Sequence, residues 1–240
     1  LEEGKVLPDG RDIRILDGNG EQVKYLIENW NSSETHIIFI ANLSGAENYT
    51  LLYGNPFAKE IEKLNWSEIP NLLVNYGFEN GTNNWTLNGA CINLCGITDG
   101  YEGQGYNISV NSSCQYNVLY QNVSIDNAKY WFGGFINQSR EQENPICLDL
   151  DQWYECDNGI AKTKTTNKWI FVSNTSNLSA GTVYFNLRTE NVSGVDNQVI
   201  YDNLYLAKTI DFTLGSEENV RERLEISKTE TNSLGWAQFA

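Results

Sequence analysis

Methionine is absent from the chain and histidine occurs once, at His36. A single imidazole excludes a histidine-rich metal centre and several independent histidine-based catalytic sites. Basic residues are scarce: 16 Lys and Arg stand against 31 Asp and Glu, for a formal net charge of −15 and a pI near 4.4. A surface this anionic repels phosphate backbones and anionic lipid, so no nucleic-acid partner is expected. No apolar run approaches the roughly 18 residues that a spanning helix needs, so no membrane span is expected. The chain opens Leu1-Glu2-Glu3, without methionine or a charged-then-apolar leader, and reads as processed, trimmed or a fragment. At 240 residues and 27.2 kDa it has material for a buried core in one or two domains.

What the chain has in excess is asparagine. With 31 Asn, 16 Ser and 15 Thr in 240 positions, chance placement predicts roughly four Asn-X-Ser/Thr acceptor sites. There are 13, at Asn31, Asn42, Asn48, Asn65, Asn80, Asn84, Asn107, Asn111, Asn122, Asn137, Asn174, Asn177 and Asn191, none with proline in the middle. The surplus predicts an N-glycosylated chain, extracellular or at the cell surface, with these asparagines outside the core.

Five cysteines suit an oxidising compartment and leave one unpaired. Cys147 and Cys156 flank Asp151-Gln152. A hairpin about that turn pairs 150 with 153 and 147 with 156, which predicts a disulfide. Cys91, Cys95 and Cys114 supply one further bond, with the pairing left open. Cys91-x3-Cys95 lacks a second close pair or a nearby histidine for zinc.

Short segments rich in Val, Ile, Tyr, Phe and Trp recur between Gly, Asn, Asp and Ser. They are Asp12–Leu16, His36–Ala41, Thr50–Tyr53, Tyr106–Val110, Tyr116–Ile125, Tyr130–Ile136, Lys168–Ser173, Thr182–Arg188 and Gln198–Leu206. Asp17-Gly18-Asn19-Gly20 and Asp157-Asn158-Gly159 are turn signals. The one plausible helix in the first third is Pro56–Leu64. The fold class is all-β, as two β-sandwich modules with a short connector and a charged C-terminal tail. The divisions are 1–57, a connector at 58–71, a second module at 72–208, and 209–240 as a tail or the start of a further module.

The second module carries a resemblance. Asn75-Tyr76-Gly77-Phe78-Glu79 followed by Trp85, then Gly100-Tyr101-Glu102-Gly103, the Gln121-bearing strand, Lys129–Phe135, Lys168–Phe171 and Val199–Leu206 resemble, in order, carbohydrate-binding modules of the family 4, 9 and 22 type. The likeness implies a jelly roll of two antiparallel sheets over 72–208, opening on a strand at Asn75–Glu79. It also implies a structural calcium held by Glu79 and Asp202, completed by backbone carbonyls. Sugar binding in such modules uses aromatic stacking. Tyr116 and Tyr120, on one face of a strand, and Trp153 and Tyr154, at the proposed hairpin tip, are the candidates. Trp85, Trp131, Phe135, Trp169 and Phe171 are expected in the core.

In the first module, Asp9-Gly10-Arg11-Asp12-Ile13-Arg14, then Tyr25-Leu26-Ile27-Glu28-Asn29-Trp30, then Tyr53-Gly54-Asn55-Pro56 resemble an uncharacterised domain of archaeal and bacterial surface proteins. That domain normally has further strands before the Asp-Gly-x-Asp motif, so part of it is expected here, with an open sheet edge.

Three functions follow from these readings. The first is a non-enzymatic secreted glycoprotein acting in adhesion or in binding polysaccharide or cell-surface glycan. The second is a structural subunit of a filament, sheath or surface layer, joining copies of itself by strand donation. The third is a glycoside hydrolase, for which Glu141 with Glu143, or Asp149 with Asp151, would supply the two carboxylates. No motif marks either pair, and His36 opens an apolar strand, so no enzyme is expected.

Overall fold

The computed structural model describes residues 6–28, 36–41, 48–151, 156–191, 194, 196–209 and 237–239. Asn31, Asn42, Trp153 and Tyr154 lie outside the described residues, as does most of the expected tail. The chain divides into two compact units, residues 1–69 with 211–240, and residues 70–210.

In the first unit, β1 (Arg14–Leu16) and β2 (Gln22–Val23) form a hairpin across the Asp17–Gly20 turn. The Asp17 carboxylate accepts the N–H groups of Asn19 and Glu21, and Gly20 takes φ +82. Strands β3 (Tyr25–Glu28) and β4 (His36–Phe39) pair as a two-stranded sheet. β5 (Thr50–Tyr53) pairs with β1 on one side. Its other side pairs with a strand from the segment expected as a tail or new module, Ala237–Phe239. Ile13, Ile15, Tyr25 and Tyr53 form the core.

Two of the three motifs of the first module's resemblance meet at one carboxylate. Buried Asp12 accepts the N–H of Leu7 at 2.9 Å and the N–H of Gly54 at 2.7 Å. Arg14 donates to the carbonyls of Arg11, Ile13 and Lys59. That last bond explains why Pro56–Leu64 is not the expected helix. The Lys59 carbonyl is taken by Arg14, and Leu64 N–H bonds Tyr25 O at 3.1 Å, so tertiary partners replace the i→i−4 ladder. The helical turn appears instead at Trp66–Glu68, a 3₁₀ turn capped by Asn65 and Glu68.

The second unit holds two five-stranded antiparallel sheets. Sheet I comprises β7 (Gly96–Asp99), β8 (Gln104–Val110), β10 (Ala128–Gln138), β13 (Ile170–Leu178) and β15 (Asn197–Lys208), in the order β13-β10-β15-β8-β7. Sheet II comprises β6 (Thr86–Gly89), β9 (Tyr116–Ile125), β11 (Ile146–Asp149), β12 (Ile160–Ala161) and β14 (Gly181–Glu190), in the order β12-β11-β14-β9-β6. From β8 onward the chain crosses between the sheets at nearly every connection, which makes the unit a jelly-roll sandwich. Leu119, Val123, Phe132, Ile146, Phe185, Leu187, Tyr201 and Leu204 are among the side chains that fill the space between the sheets. The last strand, labelled β16, is Ala237–Phe239 of the first unit.

The segment before β6 departs from the expected opening strand. Asn75 and Phe78 have φ of +53 and +57, which an extended ladder excludes. Two backbone bonds still tie the segment to β15, Leu72 N–H to Leu206 O at 2.8 Å and Leu204 N–H to Tyr76 O at 3.1 Å, and side-chain amides add to them. Asn71 bonds Leu204 O and Leu206 N–H, and Gln121 bonds both the N–H and the carbonyl of Val74 at 2.8 and 2.9 Å.

None of the 11 sequon asparagines within the described residues is buried. The five buried asparagines among the described residues, Asn117, Asn144, Asn186, Asn197 and Asn203, all lie outside sequons.

Candidate functional site

Period-two alternation sends odd-numbered residues of β9 into the core and even-numbered ones to the outer face of sheet II. Tyr116 and Tyr120 therefore share that face, with Tyr116 41% exposed and Tyr120 half-buried. The antiparallel register brings β14 residues beside them: Glu190 faces Tyr116, Asn186 faces Tyr120 and Tyr184 faces Asn122. The Arg188 guanidinium lies 5.8 Å from the Tyr116 ring centre and pairs with Glu190 at 2.5 Å. Tyr120 and Tyr184 rings are 5.9 Å apart and tilted by 59°. The composition of Thr182–Arg188 marks a strand but not its partners. Which β14 residue faces which tyrosine is a property of long-range register.

Behind these rings the outer face holds a polar pair, buried Asp149 and Asn186. Asn186 Nδ2 donates to Asp149 Oδ2 at 2.5 Å, and Asp157 N–H donates to Asp149 Oδ1 at 2.9 Å. Burial pushes the Asp149 carboxyl above its ordinary range, against the N–H donors of Asp157, Asn186 and Cys156 that pull it down. Asn186 Oδ1 has no partner among the described residues.

Cys147 and Cys156 are bonded and lie at the same edge of this face. The hairpin register differs from the one expected. β11 pairs with β12 as Ile146↔Ala161 and Cys147↔Ile160, so the loop is longer than a turn centred on Asp151-Gln152. Cys156 is not Cys147's ladder partner; its backbone N–H instead bonds Asp149. Cys91 bonds Cys114, and Cys95 keeps its thiol, pushed up by burial. The described residues include one trio of potential metal ligands within 4.8 Å, Cys147, Asp149 and Cys156, and its sulfurs are spent on the disulfide.

The other expected core aromatics divide. Trp85 is in the sandwich core. Phe135 and Phe171 are buried as expected, on the other side of sheet I, where Tyr101 stacks on Phe135 at 3.8 Å, and Trp131 is half-buried there beside Tyr205 at 5.9 Å. Trp169 meets Tyr101 edge-on at 6.0 Å. The bulge between Gly133 and Phe135 shifts the register of β10 on β15 there.

Glu79 and Asp202 meet the same loop. Glu79 accepts Gln104 N–H at 2.8 Å, and fully buried Asp202 accepts Glu102 N–H at 2.9 Å and Asn203 N–H at 2.7 Å. Burial raises the Asp202 carboxyl to about 6, with the Glu79 charge adding to the rise. Two glycines allow this approach. A Cβ on Gly100 would stand 2.5 Å from Asp202 Oδ2, and one on Gly103, at φ +68, would stand 2.2 Å from Glu79 Oε1. Both carboxylates accept backbone N–H groups of this loop or of Asn203, and they bring the hard oxygen atoms that calcium ligation uses.

Of the other proposed carboxylates, Glu143 is paired with Lys162 and Lys164, Glu141 is exposed, and Asp151 is exposed beside buried Asp149. A groove lined by Leu94 and Val110 together with Ser109, Arg140, Asp196 and Asn197 lies at one end of sheet I and carries no aromatic ring.

Carbohydrate-binding modules are among the structural neighbours. TmCBM61, solved in complex with β-1,4-galactotriose, is 16% identical, with 59% of this chain and 100% of that one covered at a TM-score of 0.47. A family 4 carbohydrate-binding module is 11% identical, with 55% and 99% covered at 0.44. The enzymatically active domain of bacteriophage CBA120 tailspike protein 4 is 12% identical, with 58% of this chain and 21% of that chain covered at 0.47. No family model matches the sequence, and no curated protein matches it. At these scores the sandwich assignment rests on the strand order itself.

Proposed function

We propose that this chain is a secreted or cell-surface N-glycoprotein that binds polysaccharide or cell-surface glycan on the outer face of sheet II, without chemistry of its own. The observation that carries this reading is the group formed by Tyr116, Arg188 and Glu190, continued by Tyr120 and Tyr184 along the same two strands. Aromatic rings offer flat apolar area to the C–H face of a pyranose, and the neighbouring charged and amide groups read its hydroxyls. Two disulfides support an oxidising, extracellular setting, and no helix of the described residues is long and apolar enough to cross a membrane. Titration of the full chain with a polysaccharide found on a glycan array tests the reading. Tyr116→Ala is expected to weaken binding about tenfold. An array on which no polysaccharide binds would remove its support.

Glu79 and Asp202 would hold a structural calcium in this reading, with its role confined to bracing the loop at Gly100–Gln104.

A second reading, a subunit of a filament, sheath or surface layer, is favoured by the pairing of Ala237–Phe239 with β5. The same three residues from a neighbouring copy would make the same ladder. Light scattering of the chain with and without residues 237–240 separates the two. Assembly abolished by the truncation supports strand exchange, and a chain that is monomeric at high concentration in both forms opposes it.

A further inference from the structure

The sequon Asn122-Val123-Ser124 lies inside β9, so Tyr120, Asn122 and Ser124 all project from the outer face of sheet II. Asn122 and Ser124 are exposed. Tyr184 of β14 is directly opposite Asn122, a placement in which facing Cβ atoms come within about 4.5–5.5 Å. With the Tyr120 ring two positions back on the same strand and tilted 59° to the Tyr184 ring, the Asn122 amide is flanked by two aromatic side chains.

No other described sequon has this arrangement. Two more have an aromatic residue two positions earlier. Phe78, before Asn80, is fully buried against Trp85 and Tyr106. Phe135, before Asn137, is 3% exposed and has Tyr101 stacked upon it. Neither offers a ring face to a sugar. The Nδ2 groups of Asn107, Asn174 and Asn191 are donated to the carbonyls of Leu94, Ile160 and Asn111. The Asn122 amide makes no hydrogen bond among the described residues.

We infer that Asn122 carries an N-linked glycan whose first sugar packs against Tyr120 and Tyr184. The chain's own sugar then covers that end of the sheet II face and leaves the Tyr116–Arg188 end for an external ligand. The inference rests on the reading of the chain as a secreted glycoprotein. The donor is an oligosaccharide activated as a lipid-linked phosphate ester. A bond forms between Asn122 Nδ2 and the anomeric carbon, the carbon–oxygen bond to phosphate breaks with its electron pair leaving on the lipid phosphate, and Nδ2 gives up one proton. Ser124 completes the acceptor. The C–H face of the pyranose, laid on a ring, leaves water on the side where both partners are apolar.

The test uses the full chain secreted from an N-glycosylating host, with glycopeptides read site by site by mass spectrometry. Ser124→Ala, which removes the acceptor but keeps Asn122, is compared in the parent and in a Tyr120→Ala background. Tyr184→Ala serves as the alternative background if Tyr120→Ala is not secreted. Sugar is expected on Asn122, and Ser124→Ala is expected to lower Tm by about 2–4 °C in the parent and by less than half as much once the ring is gone. A bare Asn122 on a chain glycosylated elsewhere, or a Ser124→Ala shift equal in all backgrounds, overturns this inference and leaves the glycoprotein reading standing. A chain with sugar at no sequon overturns the glycoprotein reading itself.

Discussion

Single amides carry much of the second unit's local order. Gln121 accepts from Val74 N–H and donates to Val74 O, holding a segment that only two backbone bonds tie to β15. Gln121→Ala removes both bonds and is expected to cost about 1–2 kcal/mol in urea denaturation. Asp149 makes a sharper prediction because its charge state matters. Its carboxyl is raised by burial, so it binds its proton more tightly folded than unfolded. Its contribution is fully present below the unfolded value and is lost as pH rises through the folded value. Asp149→Asn removes the ionisation, and the new amide can bond the Asn186 Oδ1 that now lacks a partner. The variant is expected to lose less stability than the parent as pH rises above the ordinary carboxylate range, measured as Tm against pH. An unchanged pH profile would contradict the burial argument.

At the scale of elements, alternation was readable and register was not. Tyr116–Ile125 and Thr50–Tyr53 have the bounds their composition suggested, since β-branched and aromatic residues between turn formers leave few other choices. Tyr116 and Tyr120 could be placed on one face for the same reason. Their neighbours Tyr184, Arg188 and Glu190 could not, because pairing between β9 and β14 spans more than fifty residues and no local pattern sets it. Pro56–Leu64 looked helical by charge and periodicity until Arg14 and Tyr25 claimed its backbone groups. The loop between β11 and β12 shows the same limit, with Cys147 and Cys156 bonded but the ladder shifted. Closing so short a loop gives about 2–3 kcal/mol in the chain-entropy picture. A Cys147→Ser, Cys156→Ser double variant is expected to lose that much in calorimetry. A loss near zero would mean that Asp149's bonds to Asp157 and Cys156 hold the loop alone.

For the molecule as a whole, the net charge of −15 is the background against which any ligand binds. Glu79 and buried Asp202 add to that repulsion locally, and a divalent cation would relieve it. Calcium at about a hundred times its dissociation constant is expected to raise Tm by about 5–10 °C, reversed by chelator and abolished in Asp202→Asn. Absence of any calcium effect on the parent would contradict the site. Neutral sugars, unlike nucleic acid, are not repelled by the chain's charge, which is consistent with a face built from rings and paired charges rather than basic residues. The most direct measurement is calorimetric titration of the full chain, beside its Tyr116→Ala variant, with the polysaccharide that an array selects. Saturable binding to the parent, weakened about tenfold in the variant, is the predicted result. Equal affinity in the two proteins, or no heat of binding to any polysaccharide, would contradict the sheet II face as the place where this protein meets sugar.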